Sequence, residues 1–312
     1  MAERRLRPMT LGDIFDEGFD LYKKNFSFLV LVTLVVTVPL DIVLGFVKSL
    51  YWKGPSLFDA IKSDDASNLF GPAFGQTVSS LFVTSLIYAA PLAALAAATS
   101  ARYLGDPITL RQAYRMPMRR LPALLGTALL YSIILSACSG ILWPVVSLIF
   151  TAHVFAIEGK AGTGAIKRTA SLVSGDWWRV LGALVMLGLV YLVLTISIAV
   201  PLGYAFDTLL RLGPGDQSLF LPGDALHSTA IRRQVVGQLS SGLSHLFLLP
   251  FVLSVLTVLY YDLRVRKEAF DVDLLIKDLG YSVGDPSRGM IPPVVLSPKP
   301  AVTVAPNNRG RS

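Results

Sequence analysis

The run Leu121–Ile157, LPALLGTALLYSIILSACSGILWPVVSLIFTAHVFAI, contains no Asp, Glu, Lys or Arg in 37 positions. As one helix it would be about 55 Å long at 1.5 Å per residue. The hydrocarbon core of a bilayer is only about 30 Å thick. Near the middle of the run stands Ala137-Cys138-Ser139-Gly140, which is small and polar. The run is therefore read as two helices, 121–139 and 141–157, folded into a tight hairpin. Working outward, four more apolar stretches are long enough to cross: 26–47, 77–99, 180–203 and 239–261. The expected architecture is all-α, a polytopic membrane protein with six transmembrane helices.

Charge tests the hairpin. Cytoplasmic segments hold the excess of Lys and Arg in membrane proteins. With six spans and the N-terminus inside, the inner segments are 1–25, 100–120, 158–179 and 262–312. They carry 22 of the 28 Lys and Arg. If 121–157 crossed once, the later segments would change sides and the tally would fall to 13 inside and 15 outside. The hairpin is therefore preferred, and both termini are expected in the cytoplasm. The inner segments also hold 14 of the 21 acids, which leaves the inner face net positive and the outer face neutral. An anionic cytoplasmic leaflet suits such a face.

Composition agrees with this frame. The chain is 53% hydrophobic and 16% charged, against about 25% charged residues in soluble domains. The net charge of +7 would suggest nucleic acid in a soluble protein. Here its sidedness is explained by topology, and no nucleic-acid partner is expected. The single cysteine, Cys138, excludes an internal disulfide and a cysteine metal cluster. The first apolar run begins only at Phe26, behind Asp13, Asp16, Glu17 and Asp20. It reads as an uncleaved anchor rather than a signal peptide.

Three inner segments share one plan. Thr10-Leu-Gly-Asp is followed by Ile14, Phe15, Gly18, Phe19 and Tyr22. Thr109-Leu-Arg-Gln is followed by Ala113, Tyr114, Pro117, Met118 and Leu121. Both series mark one face of a helix, each Thr is a plausible N-cap, and Thr109 with Gln112 has capping-box spacing. A weaker third copy follows Thr163 with Ile166, Ala170, Val173 and Trp177. The expectation is three repeated units, each an interfacial amphipathic helix followed by a membrane hairpin. Each short helix would lie along the inner surface with its apolar face down. Residues 1–280 then form the membrane domain. Leu263–Leu279 continues the last span as a helix. Residues 281–312, with Pro286, Pro292, Pro293, Pro298, Pro300 and Pro306, form a disordered cytoplasmic tail.

No P-loop, zinc motif, catalytic triad or paired-carboxylate motif occurs, so no enzyme and no cofactor are expected. Polar groups inside the membrane are the remaining signal. Asp41 lies six residues before the outer end of the first span and His245 six residues inside the outer end of the last. Both sit about 9 Å deep, so they can face each other in the bundle. Alternatively Asp41 occupies a water-filled dent among the outer headgroups. His153, near Glu158, is read as bonded to a neighbouring helix, and Asp262 as a solvated interfacial pair with Arg264 and Arg266. At the inner surface Lys23, Lys24, Arg119, Arg120, Trp177, Trp178 and Arg179 are candidate lipid contacts, since aromatic and basic anchors favour headgroups. The outer segment 204–238, with Asp207, Asp216, Asp224 and His227, is a partner surface or a connector.

Three stretches together carry a resemblance: LRPMTLGDIFDEGFDLYKKNF (Leu6–Phe26), SLVSGDWWRVLG (Ser171–Gly182) and LYYDLRVRKEAFDVDLL (Leu259–Leu275). They resemble the bacterial membrane-domain family named after glycerophosphoryl diester phosphodiesterase. The resemblance implies a bacterial cytoplasmic membrane and a partly lipid-related setting. It does not imply phosphodiesterase activity. That catalytic domain is a barrel of about 250 residues, while the longest soluble stretch here is 262–312, and none of the three histidines precedes an Arg. Three functions compete: a module associated with membrane lipid, a scaffold or partner subunit for other membrane proteins, and a small-solute transporter centred on Asp41.

Overall fold

The computed structural model describes residues 9–51, 74–138, 141–212 and 229–268. All described secondary structure is helical. The tail 281–312 and Asp216, Asp224 and His227 of the outer segment lie outside the described residues, as does any helix beyond Glu268.

The chain opens with α1 (Leu11–Lys24) and α2 (Phe26–Tyr51), which turn at Asn25. α3 (Phe74–Ile87) and α4 (Ala89–Leu104) meet at Tyr88 with a bend of 51°. α5 (Leu110–Arg119) and α6 (Leu121–Ala137) meet at Arg120 with a bend of 75°. Beyond the turn at Cys138, α7 (Leu142–Ser147) is followed by a short turn Thr151–His153 and a π-helical turn Val154–Glu158. α8 (Gly162–Val173), α9 (Trp177–Leu212) and α10 (Thr229–Glu268) complete the fold.

Local chemistry sets these boundaries. Thr10 Oγ1 accepts from the Asp13 N–H while the Asp13 carboxylate accepts from the Thr10 N–H, and Thr109 and Gln112 do the same for α5. Reciprocal caps of this kind satisfy donors that a helix start leaves unpaired. Pro122 stands in the first turn of α6, where its missing N–H costs nothing. Gly105 and Gly159 end their helices with φ of 87° and 67°, which a residue with a Cβ adopts only under strain.

Three helices are long and apolar enough to cross a bilayer: Phe26–Gly45, Trp177–Phe206 and Gly242–Glu268. The number rises to six if each bent pair counts as one span. The break in the run 121–157 falls at Cys138, and the two arms return to one another. Arg120 Nη1 donates to the Gly159 carbonyl at 2.6 Å, and the Gly162 N–H donates to Thr127 Oγ1 at 2.7 Å. The second arm differs from the expected single helix 141–157. Pro144 and the turn at Leu148–Phe150 divide it.

The core is built around the second half of α10. Leu253 packs with Leu29 and Val32 of α2, Leu95, Ala96 and Ala98 of α4, and Ala113 of α5. The alanine run of α4 lets these backbones approach closely. Buried hydroxyls return to their own helices: Thr33 to the Leu29 carbonyl, Ser254 to Pro250 and Thr257 to Leu253. This satisfies groups that lipid could not.

α1 departs from the expected surface helix. It runs alongside α10 in the opposite direction, with Met9 held at Asp262, Gly18 against Val255 and the Tyr22 hydroxyl donating to the Phe247 carbonyl at 3.0 Å. Ile14, Phe15 and Leu21 are buried on that side. The charged side, Asp13, Asp16, Asp20, Lys23 and Lys24, stays exposed. Most of the apolar stripe thus meets protein, with Phe19 left 52% exposed, because Gly18 removes the side chain that would hold the helices apart. Burial pushes the Tyr22 hydroxyl above the ordinary tyrosine range, so it remains a donor.

Candidate functional site

Asp41 sits on α2 two residues after Pro39 and is 4% exposed. Tyr88, the single residue at the α3–α4 bend, donates its hydroxyl to Asp41 Oδ1. His245 Nδ1 lies 3.5 Å from Asp41 Oδ2. The two rings stand edge to face, 6.4 Å apart. Gly242, one turn before His245, is open on this side. A Cβ there would lie 3.8 Å from the Asp41 carboxylate. The α3–α4 bend and α10 thus close around one acid on α2. A buried carboxylate costs several kcal/mol unless paired and hydrogen-bonded, and these partners offset part of that. The arrangement sets a phenol and an imidazole on the two oxygens of one buried carboxylate. Counting along the helices sets Asp41 and His245 at equal depth. The sequence alone passes over Tyr88, although an aromatic hydroxyl within an apolar run marks it.

A second polar chain crosses the core. His153 Nε2 lies 3.1 Å from Thr257 Oγ1, which lies 2.7 Å from Thr99 Oγ1. The His153 ring stacks on Tyr260 with centroids 5.6 Å apart. His153 therefore bonds to a neighbouring helix, as its sequence position suggested. The Tyr260 hydroxyl donates to Glu158 at 2.8 Å. Arg168 Nε donates to both Glu158 oxygens, at 2.9 and 2.8 Å, and Lys160 pairs with Glu158 at 2.9 Å. Arg168 reaches Glu268 as well.

Asp262 corrects a sequence expectation. It is 2% exposed rather than solvated. Oδ1 accepts from the Met9 N–H at 2.7 Å, and Oδ2 accepts from Arg179 at 2.8 Å and Arg266 at 3.0 Å. Both arginines also donate to the Met9 carbonyl, at 2.5 and 2.7 Å. One carboxylate thereby fastens the start of α1, the start of α9 and the end of α10. The carboxylate is buried because α1 lies over it.

The candidate lipid contacts separate accordingly. Arg119 is exposed, and Trp178 is 79% exposed. Arg120 is exposed but spends one N–H on the Gly159 carbonyl. Trp177 is half-buried against Trp178. Arg179 turns inward, its Nη2 donating to Asp262 and to the Met9 carbonyl. Lys23 and Lys24 are exposed, but the direction of α1 carries them toward Phe247 and away from Asp262. Lys24 pairs with Asp20 at 2.8 Å, an exposed contact of small energetic weight. The residues gathered at one end of the bundle are Met9, Arg120, Glu158–Arg179 and Tyr260–Glu268.

Among the described residues no three His, Cys, Asp or Glu gather as a metal site requires. No family model, no curated protein and no solved structure matches the chain.

Proposed function

We propose that this chain is a six-span membrane protein with both termini in the cytoplasm, and that it is a non-catalytic module associated with membrane lipid. The supporting observation is a sharp boundary on two helices. Arg119 and Trp178 stand exposed where α6 and α9 begin. Below them the helix surfaces are bare and apolar: Leu121, Leu125, Leu129 and Ile133 on α6, and Val185, Leu189, Leu192, Val193 and Ile196 on α9. Aromatic and basic anchors above an apolar band match the passage from headgroup to acyl layer. The uneven distribution of Lys and Arg supports the six-span topology. The three stretches resembling the glycerophosphoryl diester phosphodiesterase membrane-domain family support the lipid setting and a bacterial cytoplasmic membrane. Native mass spectrometry with lipid analysis, beside an unrelated six-span protein from the same membranes, tests this reading. A lipid enriched over that control is expected. Lipids matching the bulk membrane would refute it.

A second reading is favoured by one observation. The Asp41–Tyr88–His245 cluster sets a buried carboxylate beside a partly exposed imidazole in a helix bundle, and ionisable groups inside a membrane mark ion or proton pathways. A small-solute transporter would use it. Proton or cation flux into proteoliposomes that Asp41→Asn abolishes would favour this reading over the first, and absence of any flux would remove it.

A further inference from the structure

An unassigned surface feature is a shallow, open groove between α6 and the start of α8. Ala123, Gly126, Leu129, Leu130 and Ile133 form one wall, and Ala161, Gly162 and Thr163 form the other. Its volume is about 490 Å³, within the range of about 300–1,000 Å³ that holds small ligands. Glycine makes the space. A Cβ on Gly126 would meet nothing within 4 Å.

Two properties specify an occupant. The first is length. From Ala123 to Ile133 the helix rises about 15 Å, which is one leaflet's share of a hydrocarbon core about 30 Å thick. The second is charge. Arg119 and Arg120 stand exposed at the Ala123 end, and Lys160 stands beside Ala161. From Arg111 to Arg168 the chain holds seven Lys and Arg and one acid, Glu158. Glu158 is already engaged by Arg168, Lys160 and Tyr260. Arg120 commits only Nη1, to the Gly159 carbonyl, and a guanidinium has five N–H donors. The far end of the groove, toward Ile133, has no charged residue near it in sequence. A cationic end beside an apolar strip of α6 one leaflet long complements a molecule with an anionic head and an apolar chain.

We propose that the α6–α8 groove binds one anionic phospholipid, its acyl chain along Gly126 to Ile133 and its phosphate on Arg119 and Arg120. This rests on the lipid-module reading and assigns it a ligand class and a site. Arginine binds phosphate through paired, charge-assisted hydrogen bonds, and the groove removes one chain from bulk lipid.

The test uses the full chain in nanodiscs, titrated with phosphatidylglycerol or phosphatidylcholine, with bound lipid counted by native mass spectrometry. Three variants are compared with wild type. Gly126→Leu projects a side chain into the groove from a position where a Cβ meets nothing within 4 Å. Arg119→Ala removes one phosphate contact. Gly188→Leu adds the same side chain on α9, where a Cβ also meets nothing within 4 Å. Wild type and Gly188→Leu are expected to retain one phosphatidylglycerol in preference to phosphatidylcholine. Arg119→Ala is expected to weaken retention about tenfold, and Gly126→Leu to abolish it. Retention unchanged in Gly126→Leu overturns the groove assignment while leaving the lipid-module reading standing. No headgroup preference in any form overturns both. A change of oligomeric mass in Gly126→Leu, with lipid retention unchanged, makes the groove a contact between copies and overturns the assignment as well.

Discussion

Gly18→Ala, compared with Gly12→Ala in the same helix, tests the docking of α1 on α10. An alanine Cβ at position 18 would lie 2.7 Å from Val255 Cγ2 and 2.8 Å from Val255 Cα. The second of these is backbone, so a rotamer change cannot relieve it. Overpacking of this kind costs about 1–3 kcal/mol. At position 12 the nearest atom to the new Cβ is Thr10 Oγ1 at 3.9 Å, an ordinary contact. Both substitutions gain helix propensity, up to about 1 kcal/mol in a helix interior and less at Gly12 in the first turn. Gly12→Ala should therefore stabilise by a few tenths of a kcal/mol, on the order of 0.5. Gly18→Ala should destabilise by roughly 0–2 kcal/mol once the propensity gain is subtracted. The assay is thermal unfolding of purified protein in detergent, with protease release of α1 as a second readout. Apparent midpoints should move in opposite directions, and Gly18→Ala should expose α1 to cleavage. If both alanines stabilise alike and α1 stays protected, the close approach to Val255 is refuted and α1 lies loose on a surface.

Other outcomes follow from the buried carboxylates. Asp262→Ala leaves Arg179, Arg266 and the Met9 N–H without their acceptor. It should cost about 3–5 kcal/mol and free the segment before α1, read as faster N-terminal proteolysis at unchanged helicity. Tyr88→Phe removes the donor to Asp41 and should cost about 1–3 kcal/mol. Combined with Asp41→Asn the loss should be smaller than the sum, and strict additivity in that double-mutant cycle would separate the two residues. Cys138, the single cysteine, occupies the hairpin turn. An impermeant maleimide should label it from outside in intact cells, whereas labelling only after permeabilisation would invert the proposed topology.

Much of this fold is legible in the chain because the decisive signals are local. The break at Cys138 follows from small polar residues in an apolar run, and the starts of α1 and α5 follow from Thr10 and Thr109. Asp41 and His245 could be paired because depth in a helix is a matter of counting. What is not legible depends on which face meets which neighbour. Gly18 looks like one more residue on an amphipathic stripe until Val255 is set against it. Asp262 looks solvated until Met9, 253 residues away, is bonded to it. The division of the arm after Cys138 is set by packing as well as by Pro144, and hydropathy reports neither. Tyr88 is found by the bend at α3–α4, which the apolar run hides.

The attachment of Met9 to Asp262 also has a consequence for how the molecule is made. The two ends of this bond leave the ribosome far apart in time. At about 5–20 residues per second, 253 residues take roughly 13–50 s. Throughout that interval Ile14, Phe15 and Leu21 exist without Val255 or the rest of α10. The membrane surface is the nearest apolar medium for an amphipathic helix in that state. The contacts of α1 with Phe247, Val255 and Asp262 therefore close only after α10 has been made, which sets them late in the assembly of the bundle.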